Sequence, residues 1–438
     1  MLELALPSVL AQIVNVLYNI VDRIYIGRIP DVGSLALTGV GVTFPIITII
    51  SAFAGFASGG GAPLAAIALG QKNRDRAEKI LGSSTSLLLF FSVCLMAFFF
   101  FFQTPLLYLF GASSNTIRYA STYISIYLVG TVFVELAVGL NTFISCQGHA
   151  RTAMCSVLIG AVINIGLDPV FIFVLHMGVS GRTCYHSLPG FKCCMGSSVS
   201  YLKKIRCPPF SSHHETGFFH FRLCHGTRHL TIYHVCNGKC HHNRHEPRAA
   251  DVRRRPLCRL QSVLQLIFVP VNGFTNGVQP IISYNFGAGQ FDRVRQTIRR
   301  MIAITFTAAF VYVVFAMLRP ALFAGLFTTD PELIVIVEKV LPVYIAGMAI
   351  FGLQSGVQSS FLGLGQAKIS LFIALLRKVI LLIPLALILP HFFGVMGVYY
   401  AEPIADVCSV ITAVTLFLCN IRKILSTETL AKVTHTEE

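Results

Sequence analysis

The sequence predicts an all-α polytopic membrane protein built from two parallel six-helix repeats, with twelve transmembrane helices intended and about ten readable. Three observations carry this prediction. Hydrophobic residues make up 54% of the 438 and charged residues 12%, with a mean hydropathy of +0.70; an ordinary soluble domain holds about twice that charge. Apolar runs of the roughly 20 residues needed to cross hydrocarbon recur along the chain. Finally, Gly60, Pro63, Gly70, Asp75 and Arg76 reappear 217 positions later as Gly277, Pro280, Gly287, Asp292 and Arg293.

The same offset carries Ile117 to Ile334, Tyr127 to Tyr344, Gly130 to Gly347, Gly139 to Gly356 and Gly148 to Gly365. Solenoid units run to roughly 20–50 residues, so a period of this length denotes a duplicated domain. Two fused copies of a membrane bundle are the architecture of a secondary transporter.

In chain order, the predicted spans are 5–27, 35–69, 80–110, 116–146 and 150–176, then 256–286, 298–327, 332–362, 367–390 and 394–420. The first run is too long for a cleavable signal peptide and leads straight into the second, so none is expected. Pro7 and Pro45, Pro63, Pro280 and Pro384 fall inside spans and are expected to kink them. The run Ser86–Phe102 ends on five consecutive phenylalanines and has no solvated face. The glycines from Gly55 to Gly61 lack the following Lys-Ser/Thr of a phosphate loop and suit close helix packing instead. Nothing in the chain points to nucleotide hydrolysis or to an enzyme.

Basic loops set the orientation. Lys72, Arg74, Arg76 and Lys79 follow the second span, and Arg293, Arg295, Arg299 and Arg300 hold the equivalent place in the second copy. Arg151, Lys368, Arg422 and Lys423 fit the same side, which is cytoplasmic if the amino terminus is inside. Both copies then point the same way, so each needs an even number of spans. Six is the natural count, and one span per copy is missing.

Residues 182–260 stand where the missing spans belong. They hold 8 of the 13 cysteines, 10 of the 14 histidines and 14 Lys/Arg against three acids, a net +11 of the chain's +15. The high overall charge therefore comes from one island and does not indicate nucleic-acid binding. Cys236, Cys240, His241, His242 and His245 are ligand types for zinc, but their spacing matches no closed Cys/His framework. Eight cysteines in a cytoplasmic loop are not expected to form disulfides.

A shifted reading frame accounts for the island. Moved by one base, Cys codons encode only Ala or Val, and Tyr and His codons only Thr, Ile or Met. Cys193-Cys194-Met195 then becomes two Ala/Val positions and a Trp, in a chain with no Trp of its own. These are membrane-helix residues, placed where the sixth and seventh spans are required. A genuine basic insert and a metal module are the alternatives.

Two carboxylates lie deep in apolar runs, Asp22 on the first span and Asp168 on the fifth. An intramembrane acid marks an ion or proton path by default. Asn19 shares a helix face with Asp22 at i, i+3, and Asn164 with Asp168 at i, i+4. Two carboxylates and two amide oxygens suit Na⁺, and either acid can equally carry H⁺. The offset takes Asp168 to Leu385 and Asp22 to Lys239, so cation coupling is assigned to the amino-terminal lobe. A structural role for each acid, capping a kink or pairing with Arg23, is the alternative. Pro7 lies roughly four turns below Asp22, so a kink there is predicted to couple helix bending to ion occupancy. Glu135 is a weaker candidate.

The motifs then carry a resemblance. Leu17-Tyr18-Asn19-Ile20-Val21-Asp22 with Tyr25-Ile26-Gly27-Arg28, and Asn164-Ile165-Gly166-Leu167-Asp168-Pro169, belong to copy one. Gln279-Pro280-Ile281-Ile282-Ser283-Tyr284-Asn285-Phe286-Gly287-Ala288-Gly289 is the most specific stretch, followed by Ala401-Glu402-Pro403-Ile404-Ala405-Asp406. On these residues the chain resembles the multidrug and toxic compound extrusion (MATE) family, and within it the bacterial multidrug exporters. The likeness covers roughly 1–181 and 260–425 and fails between them; the amino terminus also looks short.

The resemblance implies two lobes arranged as a V, exporting drugs or toxic organic compounds in exchange for Na⁺ or H⁺, with no other cofactor. On that pattern residues 1–181 are the amino-terminal lobe, 182–260 the anomalous segment, 261–425 the carboxy-terminal lobe and 426–438 a cytoplasmic tail. Gln279, Gln354, Gln358, Glu402 and Asp406 are expected to face the substrate, with interhelical bonding and a helix-end role as alternatives. The expected partners are small organic substrates and the lipid bilayer, with a monomeric chain in the bacterial cytoplasmic membrane. A lipid-linked saccharide flippase of related fold is the main alternative. It calls for a basic central cavity, whereas the intact spans read as nearly free of interior Arg and Lys. With only ten spans the two lobes cannot both close, and the chain as written is expected not to transport.

Overall fold

The computed structural model describes residues 1–27, 33–170, 248–325 and 331–425. The described residues are helical throughout, joined by short turns. The predicted sixth and seventh spans, most of the Cys/His island and the tail lie outside them.

Copy one contains α1 (Leu2–Gly27), α2 (Gly33–Gly70), α3 (Arg74–Leu109), α4 (Ile117–Cys146) and α5 (Ala150–Pro169). Copy two contains α6 (Arg248–Gly287), α7 (Phe291–Leu318), α8 (Pro320–Gly325), α9 (Pro331–Ile345) and α10 (Phe351–Gly363). A single 3₁₀ turn, Ala346–Ala349, separates the last two. There follow α11 (Ala367–Leu375), a π-helical segment Leu376–Leu382, α12 (Ile383–Phe393) and α13 (Val395–Ile424). Among the described residues, eight helices are long and apolar enough to cross a membrane. The apolar side chains they leave outward, such as Phe101 and Leu318, suit a lipid solvent.

By its contacts the chain divides into two units. One comprises Leu10–His241; the other joins Met1–Val9 to His242–Glu438. In the first, α2 packs on α3 and α4, and α5 packs on α4. Its core is built from Ile46, Ile50, Leu95, Phe99, Ile124 and Leu128, all buried. In the second, α7 packs on α6 and α10, and α13 on α9, α10 and the π segment. Val313, Leu341, Tyr344, Met348 and Phe351 form its core.

The 217-residue repeat is visible as repeated geometry. At the end of α2, Gln71, Lys72 and Asn73 donate their backbone N–H groups to Ile67, Leu69 and Ala68; at the end of α6, Ala288, Gly289 and Gln290 donate to Tyr284, Phe286 and Asn285. Lys72 and Gly289 both take the left-handed conformation, at φ 60° and 69°, so one copy holds with a lysine what the other holds with a glycine. Asn73 caps α3 by accepting the Arg76 N–H at 3.0 Å, and Asp75 in the first turn complements the helix dipole. Gly148 and Gly365 end α4 and α10 at φ 87° and 73°.

Close packing repeats too. A Cβ on Gly139 would strike Leu88, and one on Gly356 would meet Ile302 and Thr305; Leu88 and Thr305 are themselves repeat equivalents. Gly61 lies against Ser84 and Phe143, the packing role expected of that glycine run. In the unit holding Met1–Val9, Gly273 and Gly277 admit the backbone of α1. A Cβ on Gly277 would stand 2.6 Å from the Ala5 Cα, and one on Gly273 2.8 Å from the Val9 Cα.

Candidate functional site

Among the described residues, buried polar side chains gather in each of the two units. In the amino-terminal unit, Asn164 and Asp168 are 4% and 0% exposed on α5, one helical turn apart as the i, i+4 spacing requires. Asn19 and Asp22 fall on α1, but their side chains lie outside the described residues. Pro7 is buried inside α1, two residues before the unit boundary after Val9. Ser156 donates to the Asn141 side-chain oxygen at 3.1 Å and links α5 to α4.

Tyr127, Thr131 and Glu135 line one buried face of α4 at successive i+4 steps. The Tyr123 and Tyr127 rings stack with centroids 6.5 Å apart. Glu135 is fully buried, and neither carboxyl oxygen has a hydrogen-bond partner among the described residues. An unpartnered polar group in an apolar bundle is costly, which sets Glu135 apart from the paired acids of α13.

The carboxy-terminal unit holds a more elaborate arrangement. Glu402 and Asp406 lie on one face of α13, 4% and 0% exposed. Facing them is the π-helical segment, which carries Arg377 and Lys378. Single π turns inside α-helices are rare and often occur at functional sites. The Arg377 Nε donates to Asp406 Oδ1 at 2.6 Å, and a terminal nitrogen approaches Glu402 Oε1 at 3.8 Å. The Lys378 Nζ donates to the same Glu402 oxygen at 3.3 Å.

The guanidinium stands 4.6 Å from the centre of the Phe351 ring and 5.7 Å from that of Phe268, and it reaches the Met348 sulfur at 3.8 Å. Asp406 Oδ2 has no hydrogen-bond partner among the described residues. Among the described residues two cations thus face two anions, and Lys378 is the more exposed of the cations, its side chain 21% exposed against 4% for Arg377.

The remaining amides are dispersed. Gln279 is half-buried on α6. Gln354 is buried on α10, and its Oε1 has no hydrogen-bond partner among the described residues. Gln358 donates weakly to the Ser370 carbonyl at 3.4 Å, an interhelical contact of the kind weighed against a substrate role.

One inference from the sequence needs correction. By sequence the intact spans read as nearly free of interior Arg and Lys, yet Arg377 is 3% exposed and sits mid-span. The signal was present: a basic pair within the apolar stretch 367–390, and two acids at i, i+4 in the next span. Charges of that kind inside a membrane pair with each other.

A family profile described as MatE matches residues 7–170 and 260–388. The chain is 23% identical over 433 residues to the multidrug export protein MepA of Staphylococcus haemolyticus (strain JCSC1435), covering 93% of this chain and 91% of that protein. To MepA of Staphylococcus aureus (strain NCTC 8325 / PS 47) it is 22% identical over 460 aligned residues, covering 98% and 96%. Among solved structures, the MATE multidrug transporter DinF-BH, solved as a complex, is 30% identical with a TM-score of 0.82, covering 97% of this chain and 95% of that one. A mutant of the Vibrio cholerae MATE transporter VcmN shares the fold at 15% identity and a TM-score of 0.83, covering 97% of each chain.

Proposed function

The chain belongs to the MatE family of multi-pass membrane transporters, and on that premise we propose that it is a cation-coupled antiporter exporting drugs or toxic organic compounds. The observation that carries the proposal is the Asn164–Asp168 pair, buried inside an apolar bundle where a carboxylate is costly to keep. Asn19 and Asp22 on α1 complete the coupling set, which takes Na⁺ or H⁺. Its place is the bacterial cytoplasmic membrane with the amino terminus inside, as a monomer, without a cofactor and without nucleic acid. Gln279, Gln354 and Gln358 serve the substrate side. MepA is a multidrug export protein and DinF-BH a multidrug transporter, which supports small organic compounds as the cargo.

Loss of the match between residues 170 and 260 supports a frame shift there, so the chain as written is inactive in transport. A saccharide flippase gains little from Arg377 and Lys378, because Glu402 and Asp406 neutralise both.

The test is ethidium efflux from cells expressing either this chain or its counterpart with residues 182–260 in the shifted frame. Efflux by the reframed protein, abolished in Asp168→Asn, is the expected result. Efflux unaffected by Asp168→Asn removes the coupling assignment. No efflux from either chain overturns the exporter reading, and efflux by the chain as written overturns the frame shift.

A further inference from the structure

The two copies differ at the end of the helix that follows their equivalent turns. Both helices begin at equivalent residues, α3 at Arg74 and α7 at Phe291. The last base of α3 is Lys79, and Gly82 and Ser83 follow it; the equivalent residues of α7 are Gln296, Arg299 and Arg300. The bases of α7 therefore extend four residues further, about 6 Å along the helix axis. They stand in its third turn, beyond the free N–H groups of the helix start, so what is offered there is guanidinium.

The charge on α7 is largely uncompensated. The helix holds four arginines, and its one acid, Asp292, pairs with Arg295 at 3.2 Å. Of the helices packed on it, α10 carries no acid, and the one acid of α6, Asp251, lies at the opposite end of that helix. Arg293, Arg300, Ile304, Val311 and Leu318 follow one another at helical spacing, share one face and are all exposed. Arg319 is the next base after Arg300, 19 positions on, which is about 28 Å of helix. The hydrocarbon core is about 30 Å thick. Arg299 and Arg300 thus stand where hydrocarbon gives way to headgroups.

We propose that Arg299 and Arg300 are the seat of an anionic phospholipid, its phosphate on the two guanidiniums and an acyl chain along Ile304, Val311 and Leu318. A guanidinium stays charged and meets phosphate oxygens in pairs. The excess positive charge on α7 favours a headgroup of net negative charge over a zwitterionic one, whose ammonium cancels its phosphate. General attraction of basic loops to an acidic membrane asks only for exposed charge. Here the pair occurs at one depth, in one copy, above an apolar face whose counterpart in the other copy is Leu87, Cys94 and Phe101. The lipid site belongs to the carboxy-terminal unit alone, and it depends on the membrane fold, not on the exporter reading.

The test is native mass spectrometry of the full chain in neutral detergent with phosphatidylglycerol and phosphatidylethanolamine of the same acyl chains. The 14 Lys/Arg of residues 182–260 also attract acidic lipid, so the readout is the difference between variants of one chain. Arg299→Gln with Arg300→Gln should retain one phosphatidylglycerol fewer than the parent, affinity for that lipid falling about fivefold for each guanidinium removed. Phosphatidylethanolamine should bind equally to both. Gly82→Arg with Ser83→Arg moves the pair into copy one, where a Cβ on Gly82 meets nothing within 4 Å. That variant should gain one phosphatidylglycerol, a result that damage to the fold cannot imitate.

Equal phosphatidylglycerol counts in the parent and the Arg299→Gln, Arg300→Gln variant overturn the proposal. Phosphatidylethanolamine lost alongside phosphatidylglycerol overturns the charge selection, and a graft that gains nothing overturns the arginine pair as the seat. Displacement by glycerol 3-phosphate at equal concentration would make the ligand a soluble phosphate and overturn the lipid assignment.

Discussion

Replacing Arg377 by methionine tests whether the buried charge cluster is a coupled unit. The substitution removes the 2.6 Å partner of Asp406 and leaves both of that carboxylate's oxygens without a donor among the described residues, since Oδ2 already has none. At an effective dielectric of about 20, Coulomb attraction at this separation is about 6 kcal/mol. Desolvation offsets part of it, and removing one member of a buried pair typically costs about 3–5 kcal/mol. Loss of the guanidinium from the Phe351 face, 4.6 Å away, adds up to about 2 kcal/mol. For a unit of about 200 residues each kcal/mol lowers Tm by roughly 2–4 °C.

A fall of about 10–20 °C is therefore expected for Arg377→Met, read as loss of the monodisperse peak after heating in detergent. The informative companion is Arg377→Met with Asp406→Leu, which removes both charges. Apolar replacement of a whole buried pair is often neutral or stabilising, so the double variant should recover most of the loss. If the single variant melts within about 2 °C of the parent, or the double variant is no better than the single, the pair is not coupled as argued.

Other expectations follow from particular contacts. Gly277→Leu should disrupt the carboxy-terminal unit, because its Cβ meets α1 backbone at 2.6 Å and backbone cannot yield as a side chain can; unchanged expression and melting would refute that packing. Gly160→Ala, where a Cβ meets nothing within 4 Å, should instead stabilise by about 0.5–1 kcal/mol through helix propensity, seen as a small rise in Tm. Glu135→Leu should also stabilise, by about 1–3 kcal/mol, since it removes a buried carboxyl with no partner among the described residues. A lower melting temperature in that variant would mean that Glu135 holds a ligand or a proton the fold depends on.

Fold class and internal symmetry are written in the linear pattern of the chain. Apolar runs with no solvated face have only lipid or protein to bury against, and every backbone group in them must be satisfied within a helix. The 217-residue offset is borne by the backbone as well, since Lys72 and Gly289, one offset apart, take the same left-handed conformation. Gly139 and Gly356, paired by the same offset, pack against equivalent positions, because duplicated backbones need the same small residues at the same close approaches.

Spacing along one helix was equally legible. Asn164 with Asp168, and Glu402 with Asp406, share faces because four residues make about one turn. Partnership between helices was not. Arg377 and Asp406 are 29 positions apart, and no periodicity announces that a π turn will aim two consecutive basic residues at one pair of acids. Nor does spacing reveal that Glu135 would be left without a donor among the described residues. Local pattern fixes which face a side chain occupies; whether a buried charge is neutralised depends on the side chains that packing brings opposite it, and those are set by the folded arrangement of the helices.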